Sequence, residues 1–455
     1  MFVVDALGPG GEYRSRKREL ITDVAGVPIA EMAIVPPLYV ARAVNAQRKA
    51  RPLPAEEREA ALGRAAEMFL SDEIAGLAFD DYVDLASRVS GLPIAVTRGG
   101  ARSVAEQVSA VCESLRPAQP RGAERDWRAV AGGGAVWARR GNVFAVHASG
   151  NAPGVHGLWP QALALGYRVA VRPSRREPFT GQRLITALRE SGFRAEDVCY
   201  LPTDYTGADE IIRAADLAMV YGSQHVADKY AADPTVWVNG PGRAKILLTA
   251  EQDWCDHLDL IVESICTFGG TACVNATAVL VEGSKDRAAG LAEAIAQRLS
   301  AVIPLPINDE AAVLPIMSTV AAQSVAHFLS ARAAGTTALL GADQVVTDFG
   351  DGTAALRPAV HLLAGPDATR LDTELAFPCV WVSPWSRDDG LEPLRGSLVV
   401  NAITEDEQLV DDLVEESTIP NVYIGRYPTW FSAPHIPHDG FLADFLMRTK
   451  GFIRG

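Results

Sequence analysis

The sequence predicts an α/β protein made of two modules in series, each built on a largely parallel sheet. Two observations carry that prediction. From about residue 143 onward, short β-branched runs alternate with helical stretches at the interval of βαβ units. From residue 245 the same alternation starts again and continues past residue 400. A third observation separates these modules from what precedes them, because the first 120 residues read mostly as helix.

Taken in order, Glu56–Phe69 is rich in alanine and glutamate with apolar residues at helical spacing, and Ala105–Leu115 is similar. A hairpin is expected next, from Asp126–Ala131 through Gly132–Gly134 to Ala135–Arg139. The first series places strands at Val143–His147, Arg168–Arg172, Val198–Leu201, Leu217–Tyr221 and Thr235–Val238. Helices fall between them at Gly157–Leu165, Phe179–Ser191, Gly207–Ala214 and Gln224–Ala231. The second series runs strand Lys245–Thr249, helix Glu251–Phe268, strand Thr277–Glu282 and helix Ala288–Leu299. Strands follow near Val360–Leu363, Val380–Val382 and Leu398–Ala402. No internal repeat or low-complexity segment interrupts them. The reading is a dinucleotide-binding domain over 1–238, with the hairpin at about 125–140, and a catalytic domain over 239–415. Residues 416–455 are expected to return to the cofactor and oligomerisation region.

The 455 residues are 48% hydrophobic and 22% charged, the mix of a globular protein with material for a sizeable core. No stretch approaches the roughly 18 apolar residues of a membrane-spanning helix, and the run around Ala162–Val171 is broken by Arg168. The N-terminus lacks the basic region of a secretory signal. A net charge of −14 argues against non-specific binding to nucleic acid or anionic membrane. Six scattered cysteines without a CxxC pair fit a reduced, cytoplasmic enzyme rather than a disulfide scaffold or zinc site.

Common catalytic signatures are absent from the sequence: no GxSxG elbow, no GxxxxGK[ST] loop and no HExxH helix. His435 and His438, set between Pro434, Pro437 and Gly440, read as a pair of loop histidines. Asp348–Gly352 resembles an ion-binding turn but lacks the downstream carboxylate of a calcium loop. No metal is expected. Gly240–Gly242 forms a GxG without the third glycine or following helix of a Rossmann fingerprint.

One segment stands apart: Phe268-Gly-Gly-Thr-Ala-Cys273-Val-Asn, followed by an apolar strand. A cysteine on such a turn is either a buried core thiol or a nucleophile whose thiolate and oxyanion the backbone N–H groups favour. The segment resembles the nucleophile motif of the aldehyde dehydrogenase superfamily, and further resemblances follow in that family's order. Arg172-Pro-Ser174 is similar to the strand end that carries a basic residue against the cofactor ribose. Gly222 and Ser223 resemble the pair that meets the pyrophosphate at a helix N-terminus. Glu374-Leu-Ala-Phe377-Pro resembles the segment whose glutamate holds the nicotinamide ribose, and the hairpin resembles the family's oligomerisation hairpin. The resemblance spans about residues 120–400 and implies an aldehyde-dehydrogenase-like fold, with a Rossmann-like cofactor domain and a homo-oligomer. Asn151, in Gly150-Asn-Ala-Pro153, resembles the acyl-CoA reductase branch, which includes the fatty acid reductase of bacterial luminescence, and Glu374–Cys379 and Pro437-His-Asp-Gly440 resemble that branch as well.

Two departures from the ordinary family pattern set the expected chemistry. Asn239 lies 34 residues before Cys273, where ordinary members place a water-activating glutamate. An asparagine cannot accept a proton as a general base. Glu263, on the helix upstream of Cys273, is the other candidate base. Arg175 stands where NAD-preferring members place a glutamate, and arginine pairs with a 2′-phosphate. That implies NADPH preferred with NADH possible, unless Arg175 and Arg176 form only a solvated basic loop.

The expected activity is therefore reduction of an acyl thioester, on CoA or a carrier protein, to an aldehyde through a thioacyl-Cys273 intermediate. Asn151 is expected to stabilise the oxyanion, with Arg172, Ser174, Arg175, Gly222, Ser223, Glu374 and Phe377 at the cofactor. An acyl-activating enzyme is an expected partner. The competing readings are NAD(P)-dependent oxidation of an aldehyde to the acid and a catalytically silent binding subunit.

Overall fold

A computed structural model describes residues 1–71 and 73–455 of the chain. The β-branched run Val143–His147 is buried along its whole length, and it becomes the middle of a seven-stranded sheet. Arg168–Arg172 and then Val198–Tyr200 add on one side of it, while Leu217–Tyr221 and then Val236–Asn239 add on the other. These five strands are parallel, and an antiparallel pair, Ala6–Gly8 and Gly11–Tyr13, closes one edge. The order reverses direction between Val143–His147 and Leu217–Tyr221. In open α/β sheets such a switch point leaves a crevice beyond the carboxyl ends of the strands. Helices Pro37–Lys49 and Tyr205–Ala214 cover one face; Ala55–Ser71, Ile94–Ser109 and Phe179–Glu190 cover the other.

The second seven-stranded sheet is centred on Ala276–Glu282 and Ala244–Leu248. Cys379–Trp385 and Ala359–Leu362 extend one side, and Val399–Ile403 and Asn421–Ile424 the other, all parallel. Leu258–Cys266 and Lys285–Ser300 pack on one face of it. Asn239 ends a strand of the first sheet and Ala244 opens a strand of the second. That short link lays the C-terminal edge of the first sheet against the N-terminal edge of the second.

The two α/β series lie where their patterning predicts, because each strand is a buried apolar run and each helix has one apolar face. Three expectations fail. The first 33 residues hold five short strands, from Phe2–Val4 to Pro28–Ala33, where helix was expected. The hairpin does not form from neighbouring segments, because Asp126 caps a 3₁₀ turn over Trp127–Ala129 instead of continuing a strand. Gly133–Arg139 pairs instead with Met447–Ile453, antiparallel over seven residues, and with Ala123–Glu124. Asn421–Ile424 belongs to the second sheet, so the chain's return begins later than residue 416.

The Asp348–Gly352 run is a turn between strands Val346–Asp348 and Thr353–Leu356. There Asp351 accepts from Thr353 N and Oγ1, and Asp348 accepts from Gly350 N. Among the described residues there is no cluster of metal-ligating side chains, and no helix is long and apolar enough to cross a membrane.

Candidate active site

The helix Leu258–Cys266 stops at a turn in which Phe268, Gly269 and Gly270 have φ of 59°, 70° and 68°. Left-handed backbone is costly for residues with a Cβ, which explains the glycines. At Gly270 space forbids a side chain as well, since a Cβ there would lie 2.6 Å from Pro378 N. Asn275 fixes the turn. Its Oδ1 accepts from Ala272 N at 2.9 Å, and its Nδ2 donates to Ser264 O and Thr267 O. Cys273 follows this turn, half-buried, at the head of Ala276–Glu282. Burial pushes its thiol up to about 12, and the charges of Glu374 and Asp439 add to the shift, so the resting group is protonated.

His438 is the residue that sequence reasoning missed. Its Nε2 lies 3.4 Å from Cys273 Sγ, and its Nδ1 is buried without a partner. Burial holds the imidazole below its usual pKa, so it is neutral and able to take a proton. The backbone is anchored, because Asn421 Nδ2 donates to the His438 carbonyl and also to Leu398 O. Gly440, φ 79°, packs against the indole of Trp237. Reading His435 and His438 as equivalent loop histidines therefore fails for His438; His435 is exposed. The Pro-rich loop has no periodicity, and 165 residues separate it from the cysteine, so spacing carries no signal.

The link between the sheets forms another wall. A Cβ on Gly242 would fall 1.6 Å from the Cys273 carbonyl oxygen, so only glycine fits there. The amides of Gly242 and Arg243 donate to Glu374 Oε1 at 3.0 and 2.7 Å. Arg243 takes a left-handed φ of 49° and donates to Gln224 Oε1. Lys245, fully buried, donates to Asp372 and Ser397, which ties down the other end of the Glu374 segment. Asn239 is 6% exposed, and neither Oδ1 nor Nδ2 has a partner. Two orphaned groups on one buried amide cost stability unless a ligand meets them. Glu263 is exposed and lines a separate groove with Val262, Cys266 and Phe268.

Along the C-terminal edge of the first sheet lie the remaining sequence-predicted residues except Phe377, which does not reach it. Arg172 ends its strand with Nε buried and unpartnered, its guanidinium 5.9 Å from the Tyr205 ring. Arg175 stacks on the same ring at 5.2 Å and pairs with Glu19 at 3.2 Å. Ser174 Oγ accepts from Arg176 N, and a Cβ on Gly150 would lie 2.4 Å from it, which joins this loop to the Asn151 loop. Asn151 Oδ1 accepts from Ser149 Oγ, so Nδ2 is the group left to donate. Gly222 sits too close to Val226 for any side chain, and Ser223 precedes the short helix Gln224–Tyr230. Phe377 is 1% exposed, in the core beneath the second sheet.

The switch-point edge therefore presents unpartnered Arg172 Nε, Asn239, His147 Nε2 and Trp237 Nε1 beside backbone kept bare at Gly222 and Gly242. These residues fit a polar, elongated ligand of the dinucleotide kind.

The family model described as "Aldehyde dehydrogenase family" matches residues 20–451. No curated protein matches the sequence. Among solved structures, an indole-3-acetaldehyde dehydrogenase complexed with NAD+ superposes with a TM-score of 0.84 at 18% identity, covering 99% of this chain and 96% of its own. A gamma-glutamyl-gamma-aminobutyraldehyde dehydrogenase from Burkholderia cenocepacia J2315 gives 0.82 at 18% identity, covering 100% and 97%. An E. coli NADP dependent enzyme gives 0.81 at 16% identity, covering 100% and 98%. At these identities the likeness is one of fold.

Proposed function

The chain belongs to the aldehyde dehydrogenase family, whose members are oxidoreductases acting on aldehyde groups, and on that premise we propose that it oxidises an aldehyde to the acid with NAD(P). The observation that carries this reading is the 3.4 Å approach of His438 Nε2 to Cys273 Sγ. The asparagine at position 239 argued against water as the acyl acceptor only while no other base was in reach.

In this reading His438 takes the thiol proton as Cys273 Sγ bonds to the aldehyde carbon, giving a thiohemiacetal oxyanion. Asn151 Nδ2 and backbone N–H groups of the Cys273 turn stabilise that charge. The dinucleotide, when bound at the switch-point edge, supplies the hydride acceptor. Arg172, Ser174, Gly222 and Ser223 hold its adenosine and pyrophosphate side, and Glu374 orients the nicotinamide ribose. The product is a thioacyl ester on Cys273. His438, having released its proton to solvent, then removes one from an attacking water; the acid leaves and the thiol is restored.

Arg175 supports NADP(H) as the preferred dinucleotide, and its ion pair with Glu19 supports admission of NAD(H) as well. The free cysteines support a cytoplasmic setting, and the sheet of Gly133–Arg139 with Met447–Ile453 supports a homo-oligomer.

One observation favours a second reading, the reduction of an acyl thioester. Asn239 replaces the water-activating carboxylate and leaves a buried amide with no partner, three residues before the Gly242 that abuts Cys273. A CoA or carrier thioester, with an acyl-activating enzyme to supply it, suits such a site.

The test is NAD(P)H formation from a panel of aldehydes without added thiol, set against acyl-CoA-dependent NAD(P)H consumption. Aldehyde oxidation independent of CoA supports the first reading. Turnover only with a thioester, or with CoA as obligatory acceptor, overturns it in favour of the second.

A further inference from the structure

A groove of about 480 Å³ lies against the nucleophile turn, walled by Val96, Val262, Cys266, Phe268, Ala312 and Val313. None of its lining residues belongs to the sheet of Gly133–Arg139 with Met447–Ile453. Asp259, Val262, Glu263 and Cys266 follow one another at i, i+3, i+4 and i+7 along the helix Leu258–Cys266, so a single face of that helix forms one side. Phe268 and Gly269 line the groove and also belong to the turn that leads to Cys273. A ligand in the groove therefore rests against the backbone that positions the nucleophile.

The turn itself has no need of the Phe268 ring. A φ of 59° suits glycine and is costly for a bulky residue, and Gly269 and Gly270 continue in the same region. The ring is held there nonetheless, edge-on to the indole of Trp430 with centroids 6.2 Å apart. Thr429 N donates to Ser264 Oγ, and the Ser264 carbonyl accepts from Asn275 Nδ2, so the segment carrying Trp430 is fastened to the same turn. A strained residue pinned in this way by its surroundings is characteristic of a ligand site.

The walls and the mouth of the groove select in different ways. Apolar walls favour methylene groups, and the groove has the volume of a small-ligand site. The exposed groups at its mouth are Glu263 and the ion pair of Asp259 with Arg298, two carboxylates against one guanidinium. That surplus of negative charge opposes an anionic group on the ligand's far end. We propose that the groove holds the tail of the aldehyde, that this tail is an uncharged alkyl chain, and that Phe268 is the residue setting the preference. The inference rests on the aldehyde-oxidising reading above and names its substrate class.

NAD(P)H formation by the full-length protein from propanal, hexanal, decanal and succinic semialdehyde tests this, together with calorimetric titration of decanoate. We expect kcat/KM to rise at least about tenfold from propanal to decanal, with succinic semialdehyde the poorest substrate. Val262→Trp fills the groove, and Phe268→Gly removes the shared wall while giving the turn a residue suited to its backbone. Each should cut the decanal-to-propanal ratio of kcat/KM about tenfold, and decanoate affinity should fall alongside. Unfolding midpoints check that the variants fold, and either variant suffices. A flat chain-length profile, preference for the charged aldehyde, or a ratio untouched by both variants overturns the proposal and leaves aldehyde oxidation standing. If no aldehyde is oxidised, the reading beneath the proposal fails. Decanoate binding that Val262→Trp abolishes would then still support the groove, and no such binding would overturn it.

Discussion

His438 Nε2 stands 3.4 Å from Cys273 Sγ, and the same burial that raises the thiol lowers the imidazole. Both shifts favour the neutral pair at rest, so the thiolate forms only as the proton moves to His438 during attack. His438→Gln should lower kcat by about 10²–10⁴-fold with little change in KM. The pH profile separates a base from a structural role. The native rate should be flat across neutral and mildly alkaline pH, because an imidazole held below its usual pKa is already neutral there. The variant's rate should climb with pH toward the raised thiol pKa. Identical profiles would remove His438 from the proton path.

Cys273→Ala should abolish turnover while dinucleotide binding, followed by fluorescence titration, stays within about twofold. Residual steady-state activity above background would end the nucleophile assignment.

Gly242 admits no side chain, because a Cβ would overlap the Cys273 carbonyl. Gly242→Ala must push the link or the nucleophile turn aside at a cost of about 1–3 kcal/mol. We expect kcat to fall more than tenfold with a drop of several degrees in Tm. Unchanged kinetics would show that the link is not a wall of the site.

Asn239 keeps two buried groups without partners. Asn239→Ala removes both and should leave Tm unchanged or higher, while KM rises for the aldehyde or the dinucleotide. A lower Tm with unaltered KM would mean the amide serves the fold rather than a ligand.

Arg175 is shared between Glu19 and the ring of Tyr205. A ligand 2′-phosphate must compete with Glu19 for it. Glu19→Gln should therefore shift the ratio of NADPH to NADH affinity toward NADPH by about tenfold, and Arg175→Ala should shift it the other way. Direct titration of both cofactors reads the ratio, and no shift in either variant would clear the pair of a role in cofactor choice.

Much of the fold was legible because its strands are continuous apolar runs. Val143–His147, Arg168–Arg172 and Leu217–Tyr221 lie at the boundaries that their patterning predicts. The five N-terminal strands were not legible, since three of them are only three residues long, which leaves no period to read. The partner of Gly133–Arg139 was out of reach for a different reason: a strand's sequence does not name the segment that hydrogen-bonds to it. At the site, the turn around Cys273 shows in its glycines, while Gly222 and Glu374 stand out by their resemblance to segments of the aldehyde dehydrogenase family. His438 and Glu19 stand out in neither way. Each reaches its place only through long-range packing; Pro437–Gly440 resembles a segment of the acyl-CoA reductase branch, but that likeness assigns His438 no role.

The pairing of Gly133–Arg139 with Met447–Ile453 also sets an order of assembly. During synthesis the first strand leaves the ribosome long before the second exists, and its hydrogen-bonding edge stays open meanwhile. Leu446 O, which accepts from Arg140 N and from Tyr167 Oη, arrives with that late segment. The N-terminal edge of the first sheet therefore stays incomplete until residues 447–453 have been made. Contacts of such sequence separation are the slowest to form, and an open edge invites the wrong partner while it waits. Maturation of this protein should be limited by docking of its C-terminal strand, and nascent chains stalled before residue 447 should be the most protease-sensitive and aggregation-prone.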